Sequence, residues 1–213
     1  MELNKYITLH NGNKVHLSGK YSYYGDFSDI IIINRGVHEP LEEFCFQCLI
    51  AKLKKKELPI KMLELGAYWG HYSMWMKRAI PKAECTLVEP DKKNLIVGQM
   101  NFDINNFDGD FVNEFVSSKG FTVDKWVSAN NKILDLLHCD IQGYELEMLQ
   151  NARKSLESNL INYLMISTHS QKIHHDIINY MMQFQYVLEI SSDFENHTTS
   201  NDGFLMFSSI KSE

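Results

Sequence analysis

The chain has 213 residues, a formal net charge of −6, and 44% hydrophobic and 23% charged residues. That length suits one domain with at most a small extension, and the balance is that of a folded globular protein rather than a disordered one. The acid excess disfavours a nucleic-acid backbone or an anionic membrane as the main partner, and no apolar run approaches the length of a membrane span.

The opening stretch MELNKYITLHNGNK has no apolar signal core. Residues 6–9 and 15–17 flank His10-Asn11-Gly12-Asn13 and read as a hairpin. Tyr21, Tyr23, Tyr24 and the apolar run 30–33 read as a surface β-extension, a flap over the substrate or a contact with a second copy of the chain. A helix is expected from Glu39 or Pro40, with Glu42 and Glu43 suiting its positive end and Leu41, Phe44, Cys45, Cys48 and Leu49 on one face. Cys45 and Cys48 form a CxxC, but they lie inside that helix with no second pair, so neither a metal nor a redox role is expected. Cys85 and Cys139 sit in or beside apolar runs and read as buried thiols, which points to a reducing, cytoplasmic setting.

From Ile60 the pattern becomes alternating strands and helices. Strands are expected at 61–65, 85–88, 111–116, 133–139, 161–166, 185–190 and 204–207. Helices are expected at 71–79, 92–103, 144–156 and 173–183, while 121–127 is ambiguous. Such units imply a mostly parallel sheet covered on both faces, with the last two strands pairing antiparallel because no helix joins them.

The chemistry gathers at the strand ends. In MLELGAYWG (62–70), Gly66 permits a tight turn after the first parallel strand, and Gly70 permits a helix to begin close to a ligand. Glu64 is expected beside that ligand, where a pyrophosphate would be a poor neighbour and a cationic or uncharged group a better one. The dinucleotide fingerprint G-x-G-x-x-G is absent. Glu89 closes the second strand, where a carboxylate can accept hydrogen bonds from both hydroxyls of an adenosine ribose. Asp140 ends the fourth strand and His169 follows the fifth, both on the crevice side. A near-neutral imidazole there could take a proton from an attacking hydroxyl. Asp140, Glu145 and His169 could also meet around a divalent cation, though no tight ligand spacing supports a metal site.

Three stretches carry a resemblance: LELGAYWGHYS at 63–73, LVEPD at 87–91 and, most specifically, LLHCDIQGYELEMLQNA at 136–152. The chain resembles the FkbM-type family of S-adenosylmethionine-dependent methyltransferases over roughly residues 60–209. The segment FTVDKW (121–126) and the terminal NDGFLMFSS (201–209) extend the likeness. The resemblance implies that Glu64, Gly66, Gly70 and Glu89 hold the cofactor, that Asp124 lies on the cofactor or substrate side, and that Asp140, Gly143 and Glu145 form the signature beside it. Two departures stand out. Tyr68 and Trp69 are bulky where members carry small residues, and Gln142 replaces a commonly acidic position.

The expectation is a class I methyltransferase, Rossmann-like α/β fold with a mostly parallel seven-stranded sheet and helices on both faces. Residues 1–58 would form an N-terminal extension and residues 59–213 the methyltransferase core. The expected activity is S-adenosylmethionine-dependent O-methylation of a hydroxyl on a sugar or small metabolite. Asp140 and His169 would be catalytic, Glu64, Gly66, Gly70, Glu89, Asp124 and Asp140 would bind cofactor, and a divalent cation stays open. N-methylation, a non-catalytic scaffold and, more remotely, a nicotinamide-dependent dehydrogenase are the alternatives.

Overall fold

In a computed structural model, the described residues are 6–16, 33–57, 59–130, 133–195 and 202–210. The tyrosines at 21, 23 and 24, most of the apolar run 30–33 and the polar loop 196–201 fall outside them. The chain begins with a hairpin of β1 (Tyr6–Thr8) and β2 (Lys14–His16), Ile7 opposite Val15. Helix α1 (Pro40–Leu53) follows, with proline in its first turn. Then come β3 (Lys61–Leu65), α2 (His71–Ala79), β4 (Glu84–Val88), α3 (Lys92–Asn105) and β5 (Asp110–Val112). The second half runs α4 (Val123–Asn130), β6 (Leu134–Cys139), α5 (Glu145–Gln150), α6 (Arg153–Glu157), β7 (Ile161–Thr168), α7 (Gln171–Met181), β8 (Tyr186–Ser192) and β9 (Gly203–Ser209).

The large sheet has seven strands in the order β5-β4-β3-β6-β7-β9-β8. The first five are parallel, and β9 is antiparallel to both β7 and β8. This is the class I methyltransferase fold. The order reverses between β3 and β6: strands after β3 are added on one side and strands after β6 on the other. A crevice opens at the carboxyl ends of strands at such a reversal.

Both faces of the sheet are covered, as parallel strands require. Met62, Cys85, Leu87 and Leu136 pack towards α1, α2 and α3. Leu63, Leu65, Val88 and Leu137 point the other way, into a second core with Met148, Leu149, Leu156 and Ile177. Near the crevice the period of two puts polar groups on the α1 side. Glu64 stands opposite His138 in register, and Ser167 is on β7 beyond them. A buried polar row needs partners, and helix α1 supplies them.

That is why the buried side of α1 is turned from the expected face, keeping Cys45 and Leu49 inside. Phe44 is 64% exposed and Cys48 is exposed, whereas Glu42, Glu43, Phe46 and Ile50 are buried. Cys45 and Leu49 of the expected stripe are buried, and Phe46 and Ile50 beside it are buried too, so the helix is covered on more than one side, and its acids are inward-facing partners of the polar row. Two further differences lie downstream. The third parallel strand ends at Val112, and Val116 makes only an isolated bridge with Phe121 before α4 begins. The helix expected over 144–156 breaks into α5 and α6 at Asn151 and Ala152. Among the described residues, no helix is long and apolar enough to cross a membrane.

Candidate cofactor site and active site

Gly66 and Asp140 meet where the strand order reverses. The Asp140 amide donates to the Leu65 carbonyl at 3.0 Å, and the Gly66 amide donates to that of Val88 at 2.9 Å. Gly66 has φ +72°, and a Cβ there would stand 1.7 Å from the Asp140 carbonyl oxygen. Only glycine fits. Gly70 also has positive φ (+81°), but the space a Cβ would need is filled by Phe102 and Leu87. This second glycine therefore serves helix–strand packing and does not line the cavity described below.

Glu64 is turned away from that cavity as well. It is buried, and its carboxylate accepts the Tyr72 amide at 3.3 Å and the Ser73 amide at 3.0 Å. Burial outweighs these hydrogen bonds and the nearby histidines, raising its carboxyl above the ordinary value. The consequence is chemical. The first-turn amides of α2, where a dinucleotide would set its pyrophosphate, already have an internal carboxylate.

The cavity itself encloses about 470 Å³. At one end Glu89 accepts the Tyr68 amide at 3.0 Å and the Asp91 amide at 2.9 Å, with the Asn94 side-chain amide at 3.5 Å. A carboxylate has about four acceptor positions, so with these donors in place about one remains for a ligand hydroxyl. Phe115, Val116, Ile141 and Tyr144 supply apolar wall. Phe115 and Tyr144 meet edge to face, 4.8 Å between ring centres. Tyr68 and Trp69 do not fill the space: Tyr68 adopts φ +46° and lines the cavity, and Trp69 turns into the core.

At the other end stand Asp140, Asp202, His38 and Glu39. Asp140 Oδ1 accepts from Gln142 at 3.0 Å and lies 3.2 Å from His169 Nε2. His169 Nδ1 is 2.7 Å from Oε1 of the fully buried Glu145, and its Nε2 is 3.8 Å from Asp202. Burial alone would lower the imidazole, but the hydrogen bonds and charges of Asp140 and Glu145 overcome it and raise the group to about 10. Burial likewise raises Asp140, and His169 outweighs it, leaving that carboxyl below its ordinary value. The raised value of His169 favours the imidazolium near neutral pH, a setting unlike the near-neutral imidazole that a base at this position calls for. Asp140, Glu145 and His169 do meet, as the cation expectation required, with the imidazole between the two acids. Among the described residues, no metal-ligating group of three or more is found.

Helix α1 brings three acids to this region. Tyr72 donates its hydroxyl to Glu39 Oε2 at 3.2 Å. Burial, then the charges of Glu42 and Asp140, push the Glu39 carboxyl up to about 9 despite an opposing contribution from His138. Glu42 shares a 2.5 Å contact with His138 Nε2 and accepts from Ser167 at 2.7 Å. Burial raises Glu42 to about 7 and lowers His138. For Glu43 burial is outweighed by His71, the His38 amide and His10, which together bring it down to about 2. His38 goes the other way, to about 4, through burial and the charge of His71.

Of the residues singled out in the sequence, Gly66, Glu89 and Asp140 line one cavity, with His169 behind Asp140. Asp124 does not join them. Its carboxylate accepts the Lys154 and Ser155 amides and the Ser155 hydroxyl, capping α6 across the break after α5. An acid before a strand looks the same in sequence whether it serves a ligand or a neighbouring helix. The sequence reading missed His38, Glu39 and Asp202 as cavity residues. For Glu39 the available signal was an acid placed immediately before a helix-starting proline, which also describes an ordinary helix start.

Residues 121–188, about a third of the chain, match the family described as the Methyltransferase FkbM domain. That span runs from the bridge before α4 to the start of β8 and contains the Asp140 signature. No curated protein matches the chain. Among solved structures, a SAM-dependent methyltransferase from Agrobacterium tumefaciens superposes with a TM-score of 0.55 at 15% identity over 81% of this chain. The chain spans 62% of the length of that protein. The human methyltransferase 10 domain containing protein gives 0.56 at 13% identity, covering 80% of this chain and 82% of the other. A ribosomal protein L11 methylase from Lactobacillus delbrueckii subsp. bulgaricus gives 0.54 at 9% identity, covering 81% and 80%. These likenesses are likenesses of fold.

Proposed function

We propose that the protein is an S-adenosylmethionine-dependent methyltransferase acting on a hydroxyl of a small molecule, with a sugar as one candidate acceptor. The observation that carries this reading is the pairing of Glu89 with Glu64. One carboxylate faces the cavity with acceptor capacity for a ribose, and the other closes the α2 N-terminus to a pyrophosphate. The residues present therefore fit an adenosine with an uncharged or cationic arm and do not fit a dinucleotide. When bound, S-adenosylmethionine supplies an electrophilic methyl group.

The chain's own residues would do the rest. Glu89 accepts from a ribose hydroxyl, and Phe115, Ile141 and Tyr144 shield the base from water. Gly66 lets the backbone come close, while Glu64 and Gly70 act indirectly by fixing the turn. Asp140 has Oδ1 engaged by Gln142 and His169, which leaves Oδ2 to accept the hydrogen bond of the acceptor hydroxyl and, as the oxygen–methyl bond forms, its proton. His169 is a positioning residue that holds Asp140 in place and keeps it ionised. Catalysis would rest mainly on holding donor and acceptor at attack distance. In this reading residues 1–58 are the extension, and α1 supports that by placing Glu39 in the cavity wall. A homodimer through the remainder of the extension belongs to the same proposal.

The acid-rich end of the cavity favours a second reading, N-methylation of an amine. A survey of hydroxylated and amine acceptors with methyl-labelled donor separates the two. Label in an ether, reduced at least about tenfold by Asp140→Asn, supports the oxygen reading. Label on nitrogen replaces it with the second.

A further inference from the structure

The first turn of α1 puts a carboxyl group where the charged part of the donor would lie. Glu39, Asp140 and Glu89 all line the cavity, and Glu39 feels the charge of Asp140. The strands ending in Glu89 and Asp140 are separated only by β3, so their ends stand about 10 Å apart. A nucleoside held by Glu89 would therefore send its sulfur-bearing arm towards Glu39 and Asp140.

We propose that Glu39 is a specificity residue for the donor: its carboxyl meets the sulfonium side of the ligand and gives up a proton when that cation enters. The inference rests on the methyltransferase reading above. S-adenosylmethionine carries a positive sulfur and its product, S-adenosylhomocysteine, a neutral one. A carboxyl that ionises only beside the cation favours the substrate over the spent product.

The surroundings of Glu39 permit this. On its own helix it faces Glu42, with Glu43 accepting its amide. From α2 the Tyr72 hydroxyl donates to it, and His38 Nδ1 lies 3.9 Å away. From the ends of β6 and β9 it feels His138, Asp140 and Asp202. Acids outnumber cations around it, which, with burial, is why its carboxyl stands near 9. An added positive charge reverses that balance and lowers it. The sign is fixed: near pH 7.5 the free protein holds the proton, and binding a cation expels it.

The experiment is calorimetric titration of the full chain with each ligand, in buffers of different ionisation enthalpy at the same pH. A greater proton release with S-adenosylmethionine than with S-adenosylhomocysteine is expected, and Glu39→Gln should abolish that difference. In the wild type the ratio of the two affinities should rise with pH by up to about tenfold per unit below the Glu39 pKa. In Glu39→Gln that part of the rise should vanish, while titration of the ligands' own amino groups is common to both proteins. Equal proton release with both ligands, or an undiminished difference in Glu39→Gln, overturns the proposal. Equal proton release in the wild type overturns the proposal by itself, and Glu39→Ala serves as the second variant where Glu39→Gln folds poorly. Failure of both ligands to bind folded wild type would remove the methyltransferase reading, and this inference with it.

Discussion

His169 can hold a proton or accept one, but not both at the same pH. Its partners hold it near 10, above the ordinary 6.5, so the stability from its ion pairs is complete below pH 6.5 and lost as pH rises through 10. A base titrating at its ordinary value would make kcat climb about tenfold per unit below pH 6.5 and then level. A fixed imidazolium gives no such limb, and kcat at saturating donor should lack a slope attributable to His169 between about pH 6 and 8. His169→Asn should lower kcat throughout that range without changing the slope. It should also destabilise the fold, by about 3–5 kcal/mol, because Glu145 is left buried without its counter-charge. A wild-type slope that vanishes in the variant would restore His169 as the base. The sequence reading let Asp140, Glu145 and His169 meet, and they do, but it did not show that the two acids sit close enough to hold a proton on the imidazole. The contact of Glu145 with His169 joins residues 24 positions apart and is created by the turn at Gly143.

At the scale of elements, α1 was legible as a helix and illegible as a surface. Its bounds follow from Pro40 and the apolar run, but its buried side is set by His138, Ser167 and His71, which belong to other elements. The polar row has a pH consequence. Glu39 and Glu42 have raised values in the fold, so their neutral forms favour folding at low pH and that advantage is lost as pH rises from about 4.5 through 7 and 9. Glu43 is depressed, so its contribution is present above about 4.5 and lost as pH falls towards 2. Thermal melts should therefore show Tm falling between pH 5 and 9, with Glu39→Gln losing part of that fall and gaining on the wild type at pH 9. Glu43→Gln should cost Tm at pH 7 and progressively less below pH 4. If Glu39→Gln and wild type keep a constant gap from pH 5 to 9, the account of α1 fails. The break between α5 and α6 was hidden for a related reason. Its cap, Asp124, comes from a helix 30 residues earlier.

For the whole molecule, the strand–helix alternation made the sheet readable almost strand by strand. The apolar period fixes which residues face each layer, and the turns at Gly66 and Asp140 mark the reversal of strand order. The site was readable in outline for the same reason, since ligand-facing acids stand at strand ends. What escaped was the contribution of α1 and of Asp202, which approach the crevice from outside the strand–helix repeat. The central claim is that this crevice takes an adenosyl methyl donor and refuses a dinucleotide. The most direct test is calorimetric titration of the wild type and Glu89→Gln with S-adenosylmethionine, S-adenosylhomocysteine and NADH. Saturable one-site binding of the first two, weakened by about 1–3 kcal/mol in Glu89→Gln, with no binding of NADH, is the predicted result. Binding of NADH, or failure of folded wild type to bind either adenosyl ligand, would contradict it.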